Sequence, residues 1–482
     1  MSLRSPSPQA IVVFGASGDL TRRKILPALY NLAVDGLLPE RYAVVGYART
    51  DWDAEGFREH ARRAVEEFSR TPVNEADWKQ FADSLSYLSG PFDDPSCFDP
   101  LIGHLARIDE DAGTEGGRLY YLATPPSAFP VIIERLGEVG PGRSARVVIE
   151  KPFGHDLGSS RELNRAVHEV FDEQRIFRID HYLGKETVQN ILVFRFANSL
   201  FERAWNRDAI DHIQITVAES VGLEGRAAYY EEAGSIRDMI QNHVLQVLSF
   251  LAMEPPRSLE PEAIRDEKVK LLRAVRPFHP ADVVRGQYAR GTRDGTEVPS
   301  YLEEAGVAPD STVETFVAVR ASIDNWRWQG VPFYLRTGKH MPRRATEVAV
   351  VFREAPAYLF SEVGISRCDP DHLVIRIQPD EGISLAFHAK QPGPGISLQE
   401  VVMDFAYGSS FKTEPAEAYE RLLHDAMAGD HTLFTREDGV ERAWQIVMPV
   451  VEEPGPVQTY PAGTWGPPAA DDLIAPRSWH TR

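Results

Sequence analysis

From Ala10 the chain runs Ala-Ile-Val-Val-Phe without a polar break. A short, uninterrupted apolar run of this kind reads as a strand buried on both faces of a parallel sheet. Gly15-Ala16-Ser17-Gly18-Asp19-Leu20 follows at once, and then a helical pattern through Leu26, Leu29, Tyr30 and Leu32 that stops near Asp35-Gly36. Tyr42 to Ala48 predicts a second strand, Leu119 to Ala123 another, and Arg146 to Glu150 the next. Ile176 to Ile179 closes the series. Trp52 to about Arg107 reads as largely helical and charged. Strands alternating with helices predict a doubly wound, Rossmann-like parallel sheet over residues 1–178.

Beyond Ile179 the rhythm changes. Asp211 to Ser220 alternates, with Ile213, Ile215 and Val217 on one face. Similar alternation recurs near 315–319, 346–352, 373–377 and 383–387. Strands without intervening helices predict a larger α+β domain over 179–482, built on a mainly antiparallel or mixed sheet. Helices near 235–251 and 415–427 are expected to cover one face of it. The Pro- and Gly-rich tail from Pro454 to Pro468 reads as irregular.

Composition narrows the class. The 482 residues are 43% hydrophobic and 26% charged, which suits a soluble multidomain protein. No apolar run reaches the ~20 residues of a membrane helix, and Met1 to Pro8 has no apolar signal region. Cys97 and Cys368 are the only cysteines, which fits a reducing cytoplasm rather than a disulfide framework. A net charge of −19 disfavours nucleic acid as a partner. Any anion must then be held by local Lys, Arg and backbone N–H groups against the overall field.

Those local groups sit where the predicted strands end. A glycine turn between strand and helix aims backbone N–H groups at a pyrophosphate. Gly15-x-x-Gly18 has two of the three glycines of that fingerprint, and such turns also simply join a strand to a helix. Thr21-Arg22-Arg23-Lys24 adds three cations, serving either an anion or a solvated basic face. Arg49-Thr50 follows the second strand, where an Arg accommodates a ribose 2′-phosphate. That points to NADP, and Asp51 beside it keeps NAD as the weaker alternative. Thr124-Pro125-Pro126 and Lys151-Pro152 end the next strands at the same edge.

The densest chemistry is Arg178-Ile179-Asp180-His181-Tyr182-Leu183-Gly184-Lys185-Glu186. With Tyr182 onward in a helix, His181 and Lys185 share a face and form a phosphate clamp. Asp180 suits the orientation of an imidazole. A solvated loop closed by an ion pair is the alternative. His243 falls on the apolar stripe of Ile236, Ile240, Val247 and Leu251, as either a hydrogen-bonded core residue or a tuned general base. Asp238 one turn earlier and Glu219 at its strand end are acids of either kind, surface or sugar-binding. Leu335 to Lys339 reads as following a strand, with Arg343-Arg344 behind it.

Arg-Ile-Asp-His-Tyr-Leu-Gly-Lys-Glu resembles the signature of the glucose-6-phosphate dehydrogenase family. Glu150-Lys151-Pro152-Phe153-Gly154 and Arg237-Asp238-x-x-Gln241-Asn242-His243 are similar to two more of its motifs. The resemblance runs from about Ile11 to the C-terminus. It implies an NADP-dependent oxidoreductase that oxidises β-D-glucose 6-phosphate at C1 to the 1,5-lactone, the first step of the oxidative pentose phosphate pathway. It implies His243 as base with Asp180 as its carboxylate. Substrate contacts are then Lys151, His181, Tyr182, Lys185, Glu219, Asp238, Lys339 and Arg344. Cofactor contacts are Gly15, Ser17, Gly18, Asp19, Leu20, Lys24, Arg49, Thr50, Pro125 and Lys151. Pro342 and Arg343 loosen the assignments of Lys339 and Arg344. No metal is expected, and a homodimer or homotetramer is. The competing readings are a Rossmann dehydrogenase of an unphosphorylated sugar and a non-enzymatic NADP sensor. The clustered Lys151, His181 and Lys185 speak against the first, and the Asp180/His243 pair against the second.

Overall fold

The structure, a computed structural model, describes residues 5–142, 144–293, 295–364, 367–411 and 416–481. Met1 to Arg4, and Pro415 of an expected helix, lie outside the described residues. The chain forms two compact units. The first comprises Met1–Lys185, Pro256–Asp266 and Ala416–Glu441, and the second Glu186–Pro255, Glu267–Pro415 and Arg442–Arg482.

In the first unit β1 (Gln9–Phe14), β2 (Tyr42–Ala48), β3 (Leu85–Ser89), β4 (Arg118–Leu122), β5 (Arg146–Ile149) and β6 (Ile176–Arg178) form a parallel sheet. Its order is β3-β2-β1-β4-β5-β6, the dinucleotide-binding arrangement. Every residue of β1 is buried, which is why its sequence shows no polar alternation. Phe14 packs its ring among those of Tyr47, Phe98 and Tyr120 at the centre of the sheet. The strand order reverses between β1 and β4, so a crevice is expected outside their carboxyl ends.

Two local expectations need correction here. The stretch from Trp52 to Arg107 is not wholly helical, because β3 lies inside it as an edge strand. The helix Ala418–Ala428 does not cover the second sheet but belongs to the first unit. There it meets the helix Leu26–Val34, with Asn31 Nδ2 donating to Glu420 Oε1 at 2.9 Å.

The second unit holds β7 (Ile210–Ala218), β8 (Val283–Ala289), the hairpin β9 (Gly291–Arg293) and β10 (Thr296–Val298), and β11 (Phe316–Ala321). Then come β12 (Phe333–Gly338), β13 (Ala345–Phe352), β14 (His372–Gln378), β15 (Gly382–Lys390), β16 (Leu398–Ala406) and β17 (Val457–Pro461). Nine of these make one mixed sheet, ordered β16-β15-β14-β13-β7-β12-β11-β8-β17. Leu335–Gly338 is therefore part of β12 itself, with Lys339 just past its end. The tail is not irregular. β17 pairs parallel with β8 through the buried Tyr460, and the helix Ala469–Ile474 follows. Among the described residues no helix is long and apolar enough to cross a membrane.

Candidate active site

The glycine turn after β1 is forced by space. A Cβ on Gly15 would stand 2.3 Å from the carbonyl oxygen of Ala123, and its φ is +85°. Only glycine accepts both conditions, and the result is a close approach of the β1 and β4 loops at the reversal point. Gly18 N–H donates to Gly15 O at 2.9 Å, and Thr21 Oγ1 donates to the same oxygen at 2.9 Å. The helical turns from Thr21 then begin, with Asp19 and Leu20 leading in. Thr50 Oγ1 donates to Ser17 Oγ at 2.8 Å, and Tyr87 Oη donates to Thr50 O at 2.7 Å. The exposed Arg49 is thereby held beside the glycine turn. The expected cofactor residues fit a dinucleotide cradle on these grounds. The three cations are ion-paired at the surface: Arg22 pairs with Glu67, Arg23 with Asp19, and Lys24 Nζ with Glu417 Oε2 at 2.7 Å.

The sheet brings Pro125, Lys151 and Asp180 to the carboxyl edge that carries Gly15 and Arg49, because every strand ends there. Lys151 enters a cis peptide bond with Pro152. The residue before it, Glu150, is buried and accepts from Tyr121 Oη at 2.6 Å and from Tyr419. Burial pushes its carboxyl up, opposed by those two phenols and by Lys151. Neither tyrosine carries a motif that a reading of the chain can find.

The signature segment differs from expectation in its local form. The helix begins at Glu186, so His181 to Lys185 is a run of turns and not one helix face. Leu183 N–H donates to Asp180 O at 3.0 Å, and Lys185 N–H donates to Tyr182 O at 3.2 Å. Asp180 is fully buried, and its Oδ1 accepts from Tyr182 N–H at 3.0 Å. Lys185 Nζ lies 4.6 Å from the centre of the Tyr182 ring, a cation–π contact. The His181 ring lies nearly parallel to that of Tyr419. Arg178 points inward instead, to Glu173 and Asn164, and so anchors the strand. Near it His168, Glu173 and Glu437 bring ligand-type atoms within 4.8 Å of one another. Arg178 and Arg265 also bind Glu173, which makes the group an ion network.

In the second unit register gathers the expected sugar contacts. Ala218 of β7 is level with Gly338 of β12 and with Ala345 of β13. Glu219, Lys339 and Arg344 therefore share one sheet edge. The buried Lys339 places Nζ 2.8 Å from Glu219 Oε2 and 5.0 Å from the centre of the Tyr230 ring. Arg344 donates to Gln378 Oε1 at 3.1 Å. Asp238 accepts from Tyr229 Oη at 3.0 Å. His243 is fully buried within Ile236–Val244, which is wound in wide π-type turns and runs on as the α-helix Leu245–Ala252.

The chain is matched by two family descriptions. Residues 12–190 match the NAD binding domain of glucose-6-phosphate dehydrogenase, and residues 192–480 its C-terminal domain. It is 48% identical over 481 residues to glucose-6-phosphate 1-dehydrogenase 2 of Mycobacterium tuberculosis, covering 98% of this chain and 94% of that one. It is 48% identical over 476 residues to glucose-6-phosphate 1-dehydrogenase of Aggregatibacter actinomycetemcomitans, covering 96% and 95%. A solved glucose-6-phosphate dehydrogenase in complex with its substrate glucose-6-phosphate superposes with a TM-score of 0.91 at 37% identity, over 100% of both chains. The enzyme from Mycobacterium avium gives 0.85 at 39% identity, over 98% and 99%. On sequence and fold together, this chain belongs to the glucose-6-phosphate dehydrogenase family.

Proposed function

We propose that the protein is a glucose-6-phosphate dehydrogenase. It oxidises β-D-glucose 6-phosphate at C1 to 6-phospho-D-glucono-1,5-lactone, with NADP as hydride acceptor, and so opens the oxidative pentose phosphate pathway. The observation that carries this reading is the segment Asp180–Lys185. An acid, an imidazole, a phenol and an ammonium stand together where β6 ends, on the edge that carries the glycine turn.

The nicotinamide supplies the hydride acceptor when bound. The chain supplies position and proton transfer. Loss of hydride from a carbon bearing a hydroxyl leaves an oxocarbenium ion unless a base takes the hydroxyl proton. His243 is that base, and its burial limits competing water. Asp180 balances the charge the imidazole acquires. His181, Tyr182 and Lys185 hold the 6-phosphate. Lys151 serves both ligands, while Glu219, Asp238, Lys339 and Arg344 orient the sugar hydroxyls. Gly15, Ser17, Gly18, Asp19, Leu20, Lys24, Arg49, Thr50 and Pro125 hold the cofactor, with Arg49 reading the 2′-phosphate. In this division of labour residues 1–178 serve the cofactor, with Lys151 also reaching the sugar, and 179–482 serve the sugar.

The protein works as a homodimer or homotetramer. Supporting this, the second unit exposes Val193, Leu200, Val402, Met403 and Phe411, and Val193 and Met403 also line a largely apolar groove with Phe194, Phe201 and Leu385. Two free cysteines support a cytoplasmic setting. Absorbance of the reduced cofactor tests the reaction, with glucose 6-phosphate or glucose against NADP or NAD. Turnover that is fastest with glucose 6-phosphate and NADP is expected. Equal rates with glucose would end the phosphate-clamp reading.

A further inference from the structure

The helix that carries Asp238 and His243 is held at both ends by side chains remote in sequence. At its C-terminal end Arg195 Nη1 donates to Phe250 O at 3.1 Å and to Met253 O at 2.9 Å. Trp205 Nε1 donates to Leu251 O at 2.8 Å, and Trp328 Nε1 to Ala252 O at 2.7 Å. Four carbonyls that a helix ordinarily leaves unsatisfied are thus capped, one of the donors being a cation at the negative pole.

At the other end stands Glu314. Its backbone oxygen accepts from Ser235 N–H at 3.1 Å, and its Oε1 accepts from Ile236 N–H at 3.0 Å. Its Oε2 accepts from Arg285 at 2.8 Å, and both side chains are buried. Gly234 lets the carboxylate in. Its φ is +59°, and a Cβ there would meet Glu314 Oε1 at 2.5 Å. The next residue, Thr315, holds the other side of the sugar-binding edge. Lys339 N–H donates to Thr315 O at 2.9 Å, and Tyr460 Oη donates to Lys339 O at 2.7 Å while lying 3.2 Å from Thr315 Oγ1.

Two consecutive residues therefore tie the first turn of the His243 helix to the backbone of Lys339. We propose that Glu314 is a positioning residue: with Thr315 and Tyr460 it fixes the spacing between the proton-accepting helix and the sugar-orienting lysine. This rests on the roles given above to His243 and Lys339. Placement errors of an ångström cost rate steeply, so the effect belongs in kcat on the helix side and in KM on the lysine side.

The test uses the full-length enzyme with glucose 6-phosphate and NADP. Glu314→Asp keeps the charge beside Arg285 but withdraws the carboxylate from Ile236 N–H. It is expected to lower kcat about tenfold or more, with KM nearly unchanged and the thermal midpoint close to that of the parent. Glu314→Gln keeps an acceptor at full reach but leaves Arg285 without its anion. It is expected to lower the midpoint while the folded enzyme keeps most of its kcat. Tyr460→Phe is expected to raise KM for glucose 6-phosphate severalfold at near-parental kcat. Glu314→Asp with kcat within twofold of the parent overturns the proposal. So does activity that merely tracks the folded fraction in both Glu314 variants. Where Glu314→Asp does not fold, unchanged kinetics in Tyr460→Phe overturn it. His243→Asn in the same assay separates the failures: undiminished turnover there removes the base assignment, whatever the Glu314 variants do.

Discussion

The imidazole ring of His431 stacks on the phenyl ring of Phe177, with centroids 4.0 Å apart and planes 17° from parallel. His431 lies in the segment that returns to the first unit late in the chain, and Phe177 lies in β6, two residues before the signature's buried pair Ile179-Asp180. Phe434 adds an edge-on contact to Phe177. The late segment thus seals the strand whose end delivers Asp180 and His181.

The burial of His431 makes stability depend on pH. Burial, with a smaller push from Arg265, lowers the His431 pKa from the usual 6.5 to about 4, against the pull of Gln174 O, Glu262 and Glu173. The unfolded chain takes up this proton near pH 6.5 and the folded one only near 4. The stabilisation is therefore complete above pH 6.5 and is lost as pH falls from 6.5 to 4, about 3 kcal/mol in all. Denaturant unfolding of the parent and of His431→Gln at pH 7.5 and 5 checks it. The parent's advantage is expected to shrink by about 2 kcal/mol over that interval. An advantage independent of pH would mean that His431 protonates alike in both states.

Much of the architecture is legible in the sequence, and the reasons are physical. β1, β2 and β4 are buried on both faces, so their apolar runs announce them. β3 was hidden because it is a short edge strand whose buried Leu85 and Tyr87 alternate with half-exposed neighbours between two helices. β17 was hidden by the Pro- and Gly-rich composition around it, since only Tyr460 of its five residues is buried. The candidate site residues are proposed from motifs, His243 among them, since its place on an apolar stripe alone suits a core residue as well as a base. Their supports were not. Glu150 with Tyr121 and Tyr419, Tyr230 beneath Lys339, and Glu314 with Arg285 are pairings across long separations in the chain. No periodicity reports such pairs, because they arise from strand register and from the chain's return to the first unit.

Gly15→Ala tests the cofactor cradle. The new methyl would meet a backbone carbonyl at 2.3 Å, and the φ of +85° is strained for any residue with a Cβ. Strain of this kind costs on the order of 1–3 kcal/mol. Relief requires the β1 and β4 loops to part, which removes the close approach a pyrophosphate needs. We expect a lower thermal midpoint and a KM for NADP raised about tenfold or more. An unchanged KM would place the cofactor elsewhere.

Arg49→Ala tests which cofactor is read. Thr50 is pinned by Ser17 and Tyr87, so the position of Arg49 survives the substitution and only its guanidinium is lost. A charge-assisted hydrogen bond to phosphate is worth about 1.5–3 kcal/mol. NADP should therefore bind about 10- to 100-fold more weakly, and NAD much as before. Equal weakening of both, measured by kcat/KM, would show that Arg49 does not face the 2′-phosphate.

His243→Asn tests the base. Asparagine keeps a polar group in a fully buried place but cannot take the proton. Turnover is expected to fall by about 10²–10⁴-fold, with little change in KM for either ligand. Stopped-flow absorbance of the reduced cofactor reads the chemical step directly. A variant within tenfold of the parent would leave His243 as a core residue.

Lys185→Ala tests the phosphate clamp. Lys185 and His181 stand in successive turns, so they approach a ligand from the loop and not along one helix face. The ammonium rests over the Tyr182 ring, a cation–π contact that helps to hold it in place. In a protein of net charge −19 such a cation matters more, because the general field repels the phosphate. Its removal should raise KM for glucose 6-phosphate about 10- to 100-fold, the worth of one charge-assisted hydrogen bond. The chemical step at saturation should change little, since the ammonium is assigned to the 6-phosphate and not to the reacting C1. Glucose lacks the phosphate, so its weak turnover should not respond. The preference for glucose 6-phosphate over glucose, read as the ratio of kcat/KM values, is expected to fall by the same factor. A preference that survives intact would mean that another cation holds the phosphate.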